Sequence, residues 1–301
     1  MNEFIQDYQD YLHDNDKSEH TIRAYMADLR LFSDWFQSIT GELAAPENIT
    51  PMDVIDYRNA LLRQQKKPAT INRTLISISS FCQWAHDTNL IPNNPAEGVR
   101  NVVEEPLGPR ALDRKEQLAF LRAVRRAGKI RDLAIITTLL HTGIRVSELC
   151  TLRVSDITIA DNSNMLTVRE GKGTKRRYIP LNPTVSSVLR DYLNSIGRQK
   201  DTVTDRVSGK SSEFLFHGQK RMPLTDRGVR YLIKKYGYIA KIPNVSPHVF
   251  RHTCAKNLID AGNSIDRVSK ILGHSSVNTT SIYTIPTEQD LHITMNSISW
   301  E

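Results

Sequence analysis

Six helix-breaking residues fall between positions 92 and 109 of this chain: Pro92, Pro95, Gly98, Pro106, Gly108 and Pro109. No regular element runs through such a stretch. Each proline removes a backbone donor and fixes φ, and each glycine adds conformational freedom. A length of 301 residues suits one large domain or two ordinary ones. This punctuation selects two, with a first domain at 1–100, a linker at 101–110 and a second domain at 111–301.

The first hundred residues read as four helices. Residues 3–13 are a short amphipathic stretch. Ser18 caps a second helix whose apolar positions, Ile22, Tyr25, Met26, Leu29, Phe32 and Phe36, recur at 3.6-residue spacing. Thr50 and Pro51 start a third, as cap and first-turn residue. Pro68 opens a fourth, with Ile71, Leu75, Ile78 and Cys82 on one side. Four short helices make a small bundle.

The second domain is mixed. Asp113 with Glu116 forms a capping box, so a helix starts near residue 114. Helices are expected at 114–127, 131–142, 183–195, 225–236, 247–261 and 264–272. Residues 165–170 and 176–181 alternate as two strands around the turn Gly171-Lys172-Gly173-Thr174-Lys175. Residues 197–212 are polar and read as a surface loop. The expected fold class is mostly α with a small β-sheet: a helical domain followed by a mixed α/β domain.

Composition excludes several classes. At 39% hydrophobic and 24% charged, the chain is ordinary soluble globular material. No stretch approaches the roughly 20 apolar residues that span a bilayer, and the N-terminus lacks a signal peptide's order. Cys82, Cys150 and Cys254 stand far apart, which argues against a disulfide framework and fits a reducing, cytoplasmic setting. No CxxC pair points to structural zinc. The net charge of +7 is uneven: residues 1–100 sum to −5 and the remainder to +12. A basic C-terminal two-thirds fits a polyanion partner or a lysine-rich soluble surface. Within the first domain, residues 51–100 carry the basic excess. If the polyanion is DNA, Arg58, Arg63, Lys66, Lys67 and Arg73 are the expected contacts there, and each also reads as a solvated helix residue.

The chemistry-bearing residues sit further on. Gly143 ends an apolar helix and Arg145 begins the next, where a helix N-terminus already favours anions. Glu148, one turn on, is placed to hold that guanidinium. The same two residues also make an ordinary surface pair at i, i+3. Lys172 lies at the hairpin tip between glycines, with Lys175 and Arg176 beside it as further expected DNA contacts. Ser246 caps and Pro247 opens a helix that carries His248 and Arg251 on one face. His248 and His252 also have the i, i+4 spacing of a zinc pair. A HExxH site needs glutamate where Val249 stands, so no metal site is expected. Leu272-Gly273-His274 marks a helix end. Tyr283, one of ten tyrosines, draws its weight from these neighbours.

Together, Arg145, Lys172, His248-x-x-Arg251, Leu272-Gly273-His274 and Tyr283 resemble the tyrosine recombinase (phage integrase) family in order and spacing. The surrounding words Thr142-Gly143-Ile144-Arg145-Val146-Ser147-Glu148-Leu149 and Pro247-His248-Val249-Phe250-Arg251-His252 match too. The resemblance covers both domains and implies a SAM-like core-binding domain before a catalytic domain. It implies that Tyr283 attacks a DNA phosphodiester, giving a 3′-phosphotyrosyl enzyme and a free 5′-hydroxyl. Arg145 and Arg251 would hold the non-bridging oxygens, Lys172 would protonate the 5′-oxygen, His248 would assist the tyrosine, and His274 would hydrogen-bond the phosphate. No cofactor and no ATP are implied. The implied partner is double-stranded DNA with inverted core-site repeats, bound by a homotetramer at two sites.

The tail 286–301, with Leu291, Met295, Ile298 and Trp300, is expected to dock in trans on a neighbour or to pack in cis. After Tyr283 the chain reads Thr284-Ile285-Pro286-Thr287, whereas chromosome-dimer-resolving members usually carry a Thr-His-Val run and a His-Pro-Arg ending. With no arm-binding domain expected before residue 1, the reading is a simple resolvase or integrase of a transposon, plasmid or phage. Chromosome-dimer resolution, a type IB topoisomerase and a non-cleaving DNA-binding relative stay as alternatives.

Overall fold

The structure, a computed structural model, describes residues 3–103, 108–160, 163–169, 176–197, 214–218 and 222–273. The chain divides into two compact units, Met1–Pro106 and Leu107–Glu301.

The first unit is helical: α1 (Glu3–Asp14), α2 (Glu19–Thr40), α3 (Pro51–Arg63) and α4 (Pro68–Asp87). Its boundaries follow from local chemistry. The Ser18 hydroxyl accepts the Thr21 N–H, and Gly41 closes α2 in the left-handed region at φ 78°. Thr50 and Asp53 cap α3 reciprocally. Two aromatic clusters fill the interior. Tyr8, Phe81 and Trp84 form one, and Phe32, Trp35, Phe36 and Tyr57 the other. Beside them Asp28 is buried, bonded by Arg73 and by the Ser77 hydroxyl at 2.8 Å. The proline-rich stretch after α4 folds back on this unit. Ile91 and Ala96 are buried, and Asn72 exchanges two hydrogen bonds with the Val102 backbone.

The second unit contains α5 (Arg114–Arg126), α6 (Ile130–Thr142), α7 (Val146–Thr151), β1 (Ile157–Ala160), β2 (Ser163–Val168), β3 (Arg177–Pro180), α8 (Pro183–Gly197), α9 (Asp226–Ile239), α10 (Pro247–Asp260) and α11 (Ile265–Leu272). α6 is the central helix. Its run from Ala134 to Leu140 is buried throughout, as an all-round apolar helix must be. Three antiparallel strands lie in the order β1-β2-β3, with Leu166 of β2 opposite both Ile157 and Ile179. Two strands were expected, so β1 is an addition. At four residues it offers too short an alternation to stand out in sequence.

α10 is fixed from several sides. Ser246 caps it, Pro247 opens it, the Leu112 N–H bonds the Thr253 hydroxyl, and Gln117 pairs with Asn257. Phe250 meets Phe120 edge-on at 5.1 Å. These contacts set the register of the helix that carries His248 and Arg251.

Candidate active site

The site is assembled where α6, α7, α10, α11 and β3 meet. α6 ends at Gly143, which adopts φ 62°. Only glycine takes that conformation without strain, and a Cβ there would come within 2.5 Å of Leu272. Two residues later Arg145 stands as the N-cap of α7. Its backbone N–H donates to the Glu148 carboxylate at 2.6 Å and its guanidinium Nη1 to the same group at 2.9 Å. Glu148 thus works as the reaching-back acid of a capping box and as an orienting group at once.

Arg251, one turn into α10, is 6% exposed. A buried guanidinium is costly unless its donors are met. Here Nη1 donates to the Gly143 carbonyl at 2.7 Å and Nη2 to the Leu272 carbonyl at 2.8 Å. Both carbonyls belong to helix C-termini, where unpaired oxygens carry partial negative charge. Arg145 Nη2 donates to the next carbonyl along, that of Gly273, at 2.8 Å. Two arginines that are 106 positions apart in the chain are therefore tied to successive peptide groups at the end of α11. The Arg145 side chain is 43% exposed, so its charged head faces out while Arg251 lies beneath. Such a pair of forks is suited to gripping a phosphate.

Arg177 of β3 is the residue that sequence reasoning missed. It forms a bidentate pair with Glu148, both contacts at 2.8 Å, and its Nε donates to the Ile271 carbonyl at 3.1 Å. Both partners are 10% exposed. Burial by itself pushes the Glu148 carboxyl up. The hydrogen bonds and charge of Arg177 and Arg145 outweigh it and hold the group below the usual carboxylate range. A period-two reading of the strand could have found this residue. Arg177 shares a strand face with buried Ile179, while Tyr178 and Pro180 face outward.

His248 is exposed in the first turn of α10. The His252 ring stands 6.4 Å from it, centroid to centroid. Burial, then the nearby His248 and Arg251, lower the His252 pKa to about 4, which leaves that ring neutral at pH 7. Among the described residues no cluster of three metal-binding side chains occurs, and no helix is long and apolar enough to cross a membrane. Lys172, Lys175, His274, Tyr283 and the tail 286–301 lie outside the described residues, as does most of the expected 197–212 loop.

The expected DNA contacts fall in different settings. Arg63, Lys66, Lys67 and Arg176 are exposed. Arg58 is tied to the Arg100 carbonyl and to Asn59. Arg73 is clasped by buried Asp28, so its first partner is internal.

Comparison with known proteins fits this geometry. The profile of the phage integrase family matches residues 110–290, and that of the phage integrase N-terminal SAM-like domain matches residues 5–89. The tyrosine recombinase XerC of Treponema denticola is 32% identical, covering 97% of this chain and 96% of the relative. The crystal structure of XerA recombinase covers 98% of both chains at a TM-score of 0.55 and 27% identity. XerH site-specific recombinase bound to a palindromic difH substrate superposes with a TM-score of 0.75 at 22% identity, covering 91% of this chain and 79% of the other.

Proposed function

The chain belongs to the phage integrase family of tyrosine recombinases and is a site-specific DNA recombinase, and from that premise we propose that Tyr283 is its nucleophile and that Arg145 and Arg251 grip the phosphate it attacks. The observation that carries this reading is the convergence of both guanidiniums on the Leu272 and Gly273 carbonyls, directly before His274. The Tyr283 oxygen forms a bond to phosphorus, and the bond from phosphorus to the 5′-oxygen breaks. Lys172 supplies the proton to that leaving oxygen, and His248 assists removal of the tyrosine proton. His274 donates to a non-bridging oxygen. The phosphodiester energy is kept in the 3′-phosphotyrosyl bond, so rejoining to another strand needs no ATP. The arginines stabilise charge that grows in the pentavalent transition state.

The test is a nicked suicide duplex carrying the cognate site. Wild type traps a covalent complex, and Tyr283→Phe binds the same DNA without forming one. A Tyr283→Phe variant that still forms the covalent adduct removes Tyr283 from the role.

The substrate proposed is double-stranded DNA with inverted core-site repeats, with four protomers on two sites and the 286–301 tail reaching a neighbour. The 1–100 unit contributes Arg58, Arg63, Lys66, Lys67 and Arg73 to DNA binding, and Lys175 and Arg176 add contacts from the second unit. Binding through so many phosphates falls steeply with salt. The element served is proposed to be a transposon, plasmid or phage, on the strength of the Thr284-Ile285-Pro286-Thr287 run. Chromosome-dimer resolution is the second reading, and the near-full-length match to a relative named tyrosine recombinase XerC is compatible with either role. Deleting the gene separates the two. Filamentation with unsegregated chromosomes marks the second reading, and loss of element excision or integration marks the first.

A further inference from the structure

A carboxylate beside a phosphate-gripping arginine is a liability as well as a support. Glu148 orients Arg145 through two hydrogen bonds, but its negative charge, left alone, would cancel the positive charge that Arg145 offers a phosphate. At a few ångströms and partial burial, such a charge is poorly screened. The structure supplies the remedy in Arg177, whose fork takes both Glu148 oxygens. The group of three then carries one net positive charge.

Resting on the function proposed above, we propose that Arg177 is a positioning residue for strand cleavage: it neutralises Glu148, so that this carboxylate aims Arg145 without reducing the positive field at the scissile phosphate.

Two further contacts bind Arg177 to the same machinery. Its Nε holds the Ile271 carbonyl, two residues before the Gly273 carbonyl that receives Arg145. Its guanidinium also lies flat against Gly273, where a Cβ would stand 2.8 Å from Nη1 and 2.9 Å from Cζ. Arg177 therefore fixes both ends of the Arg145 anchorage, the carboxylate on α7 and the turn after α11. Lysine would keep the charge but lose the planar fork.

The charge arithmetic gives a signature that a purely structural role lacks. Arg177→Gln leaves Glu148 uncompensated, and the net charge of the group falls to zero. Adding Glu148→Gln to that variant restores one net positive charge while removing more native contacts. Single-turnover cleavage of the suicide duplex is measured with the full chain well below its melting temperature, alongside duplex affinity. Arg177→Gln is expected to cleave about tenfold to a hundredfold more slowly, with affinity changed by no more than about twofold because Arg145 is one phosphate contact among many. The double variant is expected to cleave several times faster than Arg177→Gln alone.

Wild-type cleavage by Arg177→Gln, or a double variant slower than the single one, overturns the proposal. Should Arg177→Gln not fold, Arg177→Lys takes its place. A folded lysine variant that cleaves within about tenfold of wild type supports the charge role, and a folded lysine variant with no cleavage overturns it. If wild type itself traps no covalent complex, the function and this inference fall together. If wild type traps one and the variants behave otherwise, the Arg177 role alone fails.

Discussion

Asp28 in the first unit and Glu148 in the second are both carboxylates withdrawn from water and clasped by arginine. Their surroundings differ in one respect that separates scaffolding from chemistry. Among the described residues Asp28 meets one arginine, Arg73, and a neutral hydroxyl, Ser77, so its charge is balanced and spent inside the bundle. Glu148 meets two arginines, so a positive charge is left over, and Arg145, which bears it, is 43% exposed. A balanced cluster ties helices together, whereas an unbalanced one presents a field to something outside the protein. For a chain whose second part carries a net +12, that outside partner is an anion.

The largest expected effect tests whether the second cluster is chemical at all. Arg145→Ala and Arg251→Ala should each lower single-turnover cleavage by about 10³-fold or more. Arg251→Ala should also lower the melting temperature further than Arg145→Ala does, since it leaves two buried helix-end carbonyls unmet. Equal melting temperatures would break the distinction drawn between a buried and an outward arginine.

Next comes the contrast between the two carboxylates. Asp28→Ala should cost about 1–3 kcal/mol of stability, less than a fully buried pair because Arg73 is half exposed. Cleavage per folded molecule should be unchanged. Glu148→Ala should instead lower the cleavage rate. Chemical denaturation paired with the suicide-substrate assay reads both quantities, and a cleavage defect in folded Asp28→Ala would dissolve the comparison.

A smaller effect separates two glycines that share a left-handed conformation. Gly41→Ala and Gly273→Ala should each cost about 1–2 kcal/mol of backbone strain. The Gly41 site has nothing within 4 Å, while a Cβ at Gly273 presses on Arg177. Only Gly273→Ala should therefore slow cleavage in the folded protein.

The smallest effect is pH-dependent. His252 has its pKa lowered from 6.5 to about 4 in the folded state. The unfolded chain then binds the proton more readily, so stability contributed by the neutral ring is present above about pH 6.5 and is lost as pH falls toward 4. Melting temperatures taken across that window should decline in wild type, and less so in His252→Gln.

Legibility followed distance along the chain. Caps at Ser18, Thr50, Asp113 and Ser246 were readable because the residues that satisfy a helix end lie within three positions of it. Arg145, Glu148, His248 and Arg251 stood out as candidates because each stands in a local word or helix turn. β1 was not, since four residues carry too little periodicity. Arg177 was not, because it follows Lys175 and Arg176 in a basic run and its carboxylate partner lies 29 positions away. Nor did sequence show that half-exposed Arg73 pairs with a buried carboxylate: its partner Asp28 is 45 positions distant, on another helix.

The arginine anchors make the grip depend on folding across a long stretch of the chain. Arg251 reaches a carbonyl 108 positions upstream, and Arg145 reaches one 128 positions downstream. Contacts of such span form late, after the intervening loops have closed. A molecule opened locally at α11 loses the Leu272 and Gly273 anchors, leaving Arg251 its bond to Gly143 and Arg145 its pair with Glu148. The two-arginine grip is thus complete only in a molecule folded from residue 143 through residue 273.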